Sequence, residues 1–466
     1  MANWWIALPF PANSAINRTV TKSRPESVQV LNSAATGSSS SLLPDFNHQD
    51  AVFSSASSIL QDAIAAHVFP AASIAITHRG RLVALQACGD LVYTDDKDKV
   101  GGALFWSHPL RQKPALSDPE RDEGEPKGGD FDVTPATIFD LASLTKILAT
   151  TTMAMLLYER GLLDLDIPVA AIISEFVSSA RIPKDARRQE VTLRMLLAHS
   201  SGLPAYERLF LKAQSRDELL HAAFTMPLIA DPATRAAYSD IGFIILGAAL
   251  ERIAEEPLDR FCQREIFGPL GMIHTTFNPP PESRKNIPPT ANEEGCGAGA
   301  LARETFNADP SSANQQTRST FRGRIIQGEV QDENASVLGG VAGHAGLFST
   351  AEDVAKFAHA MLQGGHPILR PETVALFTRR ESAPEGTSRA LGWDTPSQPS
   401  QSGKYFGPNS FGHLGYTGTS LWIDPDRQLS ITLLTNRTWP DCSNQAIKSV
   451  RPKFHDAVVE AMEKSA

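Results

Sequence analysis

The chain has 466 residues, 42% hydrophobic and 20% charged, with 43 basic residues against 52 acidic ones and a net charge of −9. That composition is ordinary for a soluble globular protein with ample length for a core, and the acidic balance argues against a nucleic-acid binder. No apolar run reaches the roughly 18 residues that span a bilayer, and Cys88, Cys262, Cys296 and Cys442 form no C-x-x-C pair, which removes zinc-knuckle and dithiol redox motifs.

At the start, Trp4 to Ala12 is apolar, but no basic residue precedes it and Pro9 and Pro11 break it. It fails as a signal peptide, and with four scattered cysteines this predicts a cytoplasmic protein. Residues 1–50 include a stretch rich in Ser, Asn, Thr and Ala and read as a disordered or loosely attached arm. Order is expected from near Ala51, with a helix over Ser54–His67. Ala71–Thr77 and Arg81–Ala87 flank His78-Arg79-Gly80, a hairpin signal. Residues 95–132 are charged and broken by Pro and Gly. They read as a mobile flap rather than a domain.

A helix is predicted from Ser143 to about Arg160, stopped by Gly161. Helical patterns dominate residues 165–325: Thr192 caps Leu193–His199, and Ile241–Ile253 is apolar throughout. Residues 278–325, with Pro279-Pro280-Pro281 and Pro288-Pro289, read as irregular surface chain. Thr350 and Asp353 are spaced as a capping box. Thr419–Ile423 and Leu429–Thr435 flank Asp424-Pro425-Asp426-Arg427 as a second hairpin, and a helix from about Asn444 to Lys464 closes the chain. Strands at both ends and helices between them predict one sheet built from the two chain ends, with an inserted helical domain.

The stretch Phe139-Asp140-Leu141-Ala142-Ser143-Leu144-Thr145-Lys146 places a serine three residues before a lysine at a helix start. That spacing puts both side chains on one helix face. A lysine whose pKa burial lowers from about 10.4 can take the serine's proton and turn an inert alcohol into a nucleophile. Two further motifs join it. Tyr238-Ser239-Asp240 precedes the apolar helix, and its tyrosine can serve as general base if a nearby ammonium favours the phenolate. His413-Leu414-Gly415-Tyr416-Thr417-Gly418 precedes a strand. Its glycines admit close backbone approach, so that a following N–H can join that of Ser143 in an oxyanion hole.

In this order the three motifs resemble the serine β-lactamase and penicillin-binding-protein-like superfamily. The resemblance is closest to the class C branch, with its esterases, D-aminopeptidases and peptidoglycan amidases. Leu196–Leu203 and Gly340–Ala351 add to it, and it covers roughly residues 51–460. It implies an α/β (α+β) β-lactamase/DD-peptidase-like fold, with an antiparallel sheet flanked by helices. The sheet domain would comprise 51–140 and 330–466, and the helical domain 141–329. It further implies Ser143 as the acylated nucleophile, Lys146 as its proton partner and Tyr238 as general base. Tyr416, after Gly415, would donate the second oxyanion N–H, and His413 stands where β-lactamases have the lysine of Lys-Thr-Gly.

Two departures bear on substrate. Asp240 replaces the third-position asparagine of the family's Tyr-x-Asn, and an ionised carboxylate only accepts hydrogen bonds. It would also attract Lys146 and raise its pKa, leaving more proton traffic to Tyr238. His413 is mostly neutral near pH 7, so it anchors a substrate carboxylate less well than lysine does. Both count against β-lactam hydrolysis. The expected function is a serine hydrolase cleaving esters or peptidoglycan-type amides, without metal or organic cofactor. The alternatives are a true β-lactamase or D-Ala-D-Ala carboxypeptidase, and, in a different class, a catalytically silent binding or sensor domain. Silent homologues usually lose the nucleophile, lysine or tyrosine, and all three are present. No Gly-x-Ser-x-Gly elbow occurs, which removes the α/β-hydrolases. For the remaining polar residues, His199 reads as a structural histidine at a helix end. His344 is open between pocket lining and turn. The Glu329, Asp332, Glu333 and Asn334 cluster reads as a hydrogen-bonded loop rather than a metal site, and Trp393 and Trp422 as core.

Overall fold

A computed structural model describes residues 42–93, 132–177, 185–293, 321–440, 442 and 444–465. The arm up to residue 41, all of the charged segment 95–132 except Asp132, and Cys296 lie outside the described residues.

The strands, in chain order, are β1 (Leu43–Pro44), β2 (Ala71–His78), β3 (Arg81–Gly89), β4 (Phe139–Asp140), β5 (Thr276–Phe277), β6 (Ala291–Asn292), β7 (Ile325–Ile326), β8 (Leu347–Ser349), β9 (Phe411–Leu414), β10 (Ser420–Asp424) and β11 (Leu429–Thr435). The main sheet runs β1-β3-β2-β11-β10-β9, so its strands come from the two chain ends. Both predicted hairpins are present. Arg79 and Gly80 turn β2 into β3 with positive φ, 48° and 81°, the geometry that matches the twist of a two-residue hairpin. The pairing is antiparallel from β3 to β9, but the sheet is mixed. Leu43 and Pro44 pair in parallel with Arg81 and Leu82 at its edge, ahead of the expected onset near Ala51. Proline is tolerated there because an edge strand needs no N–H on its outer side.

β2 and β11 join in a seven-pair ladder from Leu429↔His78 to Thr435↔Ala72. One core lies under this sheet where Ser54–Ala65 meets the C-terminal helix Ile447–Ser465, through Phe53, Leu60, Phe454 and Val458. A larger core on the other side gathers Leu144, Ile147, Leu148, Phe243, Ile245 and Phe357 around the middle of the chain. A second, three-stranded sheet, β4-β8-β5, delivers the backbone to Ser143. The stretch 278–325, expected to be irregular, carries a short ladder, β6 with β7.

Three helices differ from expectation in ways that matter. The predicted helix over Ser143–Arg160 is three segments: a 3₁₀ turn Ala142–Leu144, a π segment Lys146–Thr151 and an α-helix Thr152–Glu159. The Thr192-capped helix ends at Leu197, short of His199. Thr350 does accept the Asp353 N–H, at 3.2 Å. The Asp353 carboxylate, however, bonds the His274 N–H at 2.7 Å, tying the helix Ala351–Leu362 to the chain beside β5. Among the described residues, no helix is long and apolar enough to cross a membrane.

Candidate active site

The site begins with backbone. β4 ends at Asp140, whose carboxylate accepts the N–H groups of Ala142 at 2.8 Å and Gln331 at 2.7 Å. Ala142 is thereby held at φ 46°, a left-handed conformation that costs an L-residue roughly 1–2 kcal/mol. The Thr145 hydroxyl donates to the Ala142 carbonyl at 2.6 Å and accepts the Leu347 N–H at 3.1 Å. These bonds, rather than an ordinary α-helical start, fix the turn carrying Ser143, and the π segment behind it widens the helix where Lys146 projects. Burial pushes the Asp140 carboxyl up to about 6, opposed by its two N–H donors.

Lys146 is fully buried. Its ammonium donates to Ser143 Oγ at 3.0 Å, to Asp240 Oδ1 at 2.7 Å and to the His344 carbonyl at 2.9 Å, which uses all three donors. Tyr238 Oη donates to Ser143 Oγ at 2.7 Å. Asp240 opens the helix Asp240–Ala254, whose N-cap Ser239 accepts the Gly242 N–H at 3.0 Å. Tyr238 therefore sits just outside a capped helix and Asp240 just inside it.

The electrostatics differ from expectation at Tyr238. The Lys146 ammonium lies 4.9 Å from the Tyr238 ring centre, but it is ion-paired with Asp240. Burial first, and then Asp240, push the phenol well above its ordinary range, despite the Ser143 hydrogen bond and Arg389 pulling the other way. At rest Tyr238 is a phenol, not a phenolate.

His413 lies on β9 with its ring centre 5.9 Å from that of Tyr238. Nδ1 faces the Leu414 carbonyl at 2.8 Å; a carbonyl only accepts, so Nδ1 carries the proton. Burial lowers the imidazole pKa to about 4, against the pull of Asp394. His413 is neutral, and its Nε2 is an acceptor without a hydrogen-bond partner among the described residues. The next turn docks on the backbone just before Ser143. Thr417 Oγ1 donates to the Asp140 carbonyl at 2.7 Å, and Thr419 Oγ1 to that of Leu141 at 3.0 Å. A Cβ at Gly415 would lie 1.9 Å from Thr419 Oγ1 and 2.6 Å from the Leu141 oxygen, so only glycine fits. Tyr416, the following residue, is held through its carbonyl by Arg437 Nε at 2.7 Å.

The two other histidines near the site, His199 and His344, brace it from behind. His199 is structural, as its place at a helix end suggests, but it does not cap its own helix. Instead it is buried and neutral, and its Nδ1 accepts the Ser239 N–H at 3.0 Å, bracing the Tyr238 segment. The His344 ring binds Asp332 at 2.9 Å while its carbonyl receives Lys146, so it is a buried turn behind the lysine. Three members of the acidic cluster are tied into the surrounding chain. Glu329 meets Arg324 at 2.7 Å, Asp332 caps the helix Glu333–Val337, and Asn334 bonds Phe210 and Glu207. Trp393 and Trp422 are core residues.

Two contributors went unread in the sequence. Asp140 lies inside the quoted motif, and its place three residues before Ser143 was the available signal. Arg389, paired with Asp394, stands with its guanidinium 5.5 Å from the Tyr238 ring centre; nothing in Ser388-Arg389-Ala390 points to it.

The Beta-lactamase family model matches residues 56–448 of this chain. A protein of Escherichia coli O157:H7 named "Putative D-alanyl-D-alanine carboxypeptidase" is 34% identical over 321 residues, covering 65% of this chain and 70% of that one. Among solved structures, EstCE1, described as a hydrolase with promiscuous acyltransferase activity, superposes with a TM-score of 0.61 at 20% identity, over 88% of this chain and 99% of that one. A class C β-lactamase from Rhodobacter sphaeroides gives 0.57 at 18%, over 88% and 99%. At such identities the structural likeness speaks for the fold.

Proposed function

The chain belongs to the Beta-lactamase family of serine hydrolases, and on that footing we propose that it cleaves esters or peptidoglycan-type amides through an acyl-enzyme on Ser143. Lys146 and Tyr238 carry the serine's proton, and the N–H groups of Ser143 and Tyr416 receive the oxyanion. The observation that supports this most is the convergence of Lys146 Nζ and Tyr238 Oη on one serine oxygen, at 3.0 and 2.7 Å. As Ser143 Oγ bonds to the acyl carbon, its proton passes to whichever of the two has lost its own. The same group then protonates the leaving alkoxide or amine, and a water repeats the sequence to release the acid.

Asp240 and neutral His413 both present acceptors to the substrate side. An acceptor repels the carboxylate that a β-lactam carries, so β-lactams fit this site poorly. A second reading, a D-Ala-D-Ala carboxypeptidase, draws on the name carried by the Escherichia coli relative. The proposed compartment is reducing and cytoplasmic, in keeping with the free thiols of Cys88 and Cys262.

Hydrolysis of p-nitrophenyl acetate and butyrate, nitrocefin, a D-alanyl-D-alanine peptide and a muramoyl-L-alanine conjugate separates these readings. Clear short-chain ester turnover beside slow nitrocefin turnover is expected, and Ser143→Ala should lose on the order of 10³-fold or more. Full ester turnover by Ser143→Ala would refute the proposal; release of D-alanine as the fastest reaction would establish the second reading.

A further inference from the structure

Arg451 sits inside the C-terminal helix Ile447–Ser465 and is 3% exposed. An arginine in an amphipathic helix ordinarily faces water. Here Nη2 donates to the carbonyls of Gly415 at 2.8 Å and Thr419 at 2.9 Å, and Nε to that of Gly418 at 3.3 Å. Among the described residues its hydrogen-bond partners are these carbonyls, with no carboxylate. Burial, and then Arg437, lower its pKa only to about 9, so the guanidinium is charged at neutral pH. A buried cation without a counter-ion is costly, and its charge is directed entirely at one turn.

The Gly415 carbonyl and the Tyr416 N–H are the two ends of one peptide group. We propose that Arg451 is a positioning residue for acyl transfer: by binding the Gly415 carbonyl it polarises that peptide and fixes the direction of the Tyr416 N–H, which strengthens it as an oxyanion donor. The inference rests on the reading of Ser143 and Tyr416 given above. A hydrogen bond from a cation to an amide oxygen draws electron density from the N–H, and bonds in such a chain reinforce one another in a low-dielectric interior. The turn around this peptide is held too: the Gly415 carbonyl also accepts the Gly418 N–H at 3.1 Å. Gly415 N–H bonds the Thr419 carbonyl at 2.7 Å, and Thr417 and Thr419 fasten the turn to the backbone before Ser143. A donor aimed before the reaction begins needs no reorganisation when charge develops. Arg437 supplies the contrast. It binds the Tyr416 carbonyl, which belongs to the following peptide, so it clamps the same turn without polarising this N–H.

The test compares wild type with Arg451→Met, Arg451→Lys and Arg437→Met. Three quantities are read: kcat and KM for p-nitrophenyl acetate, the affinity of phenylboronic acid as a tetrahedral adduct on Ser143, and the infrared carbonyl stretch of the acetyl-enzyme made with 13C-labelled ester. Arg451→Met should lower kcat about tenfold with KM within about twofold, weaken the boronic acid by a similar factor, and raise the stretch. Arg451→Lys should fall between, and it decides the matter if Arg451→Met does not fold. Arg437→Met should lower the melting temperature while leaving the stretch at its wild-type position. An unchanged stretch and boronic-acid affinity in the folded Arg451 variants, or an equal shift in Arg437→Met, overturns the proposal. Failure of the Ser143 reading looks different: wild type itself then binds no phenylboronic acid and forms no acetyl-enzyme, and the inference falls with it.

Discussion

At the scale of single residues, Asp240 and Tyr238 carry the proposed chemistry. The carboxylate stands 2.7 Å from the Lys146 ammonium and, after burial, does most to keep Tyr238 protonated. The form able to take the serine's proton is the deprotonated one, and a raised phenol pKa makes it scarce at neutral pH. The sign follows directly: kcat/KM for a neutral ester should climb by roughly one log unit per pH unit through neutrality. A plateau already reached at pH 7 would contradict this. Asp240→Asn removes the upward push and restores a hydrogen-bond donor. The alkaline limb should move to lower pH, and the ratio of nitrocefin to ester turnover should rise about tenfold, the worth of one hydrogen bond of about 1–1.5 kcal/mol. Parallel pH–rate profiles of both proteins on both substrates check the two effects, and an unchanged ratio would show that Asp240 does not govern substrate choice. Neutral His413 was foreseeable from its type. The resting state of Tyr238 was not, because it depends on burial and on a carboxylate whose distance no motif spacing reveals.

At the scale of elements, the turn around Ser143 departs furthest from its sequence pattern. An apolar run stopped by Gly161 reads as one α-helix, and from Thr152 to Glu159 it is one. Ahead of that, side-chain bonds from Asp140 and Thr145 override the local preference, and they bring in Gln331 and Leu347 from far along the chain. Hairpins were legible because strand alternation and turn residues are local signals; this turn was not, because its cause is non-local. Asp140→Asn tests the account. The folded carboxyl, raised from 3.8 to about 6, is costly when ionised, so stability falls as pH rises through that window. Asparagine removes this cost, about 3 kcal/mol, but it puts an NH2 donor in place of one of the two oxygens that now each accept an N–H, at roughly 1–3 kcal/mol. The melting temperature at pH 7 should therefore barely move while kcat drops at least about tenfold. Equal activity would show that Asp140 does not place Ser143. Gly415→Ala should be harsher, with loss of activity and about 1–3 kcal/mol of stability by denaturant titration; a native-like protein would refute the close packing of that turn.

For the whole molecule, the two chain ends are one structural unit. β2 pairs with β11 across more than 350 residues, and the last helix covers the sheet opposite the larger core. The strand-helix-strand order made this closure readable, whereas the parallel β1 lay hidden in a stretch of arm-like composition. The inward role of Arg451 was likewise invisible, since a basic residue in an amphipathic helix reads as solvent-facing. Phe454→Ala, at a fully buried position against Phe53 and Leu60, should cost about 3–5 kcal/mol, seen as a lower urea midpoint; a loss under about 1 kcal/mol would show that the closing helix is not integral. The proposed chemistry turns on one oxygen atom, Ser143 Oγ, and the most direct measurement is peptide mapping by mass spectrometry after treatment with a fluorophosphonate. A single adduct on Ser143, absent from heat-unfolded protein, is the predicted result. An adduct on another serine, or none on the folded protein, would contradict the acyl-enzyme account.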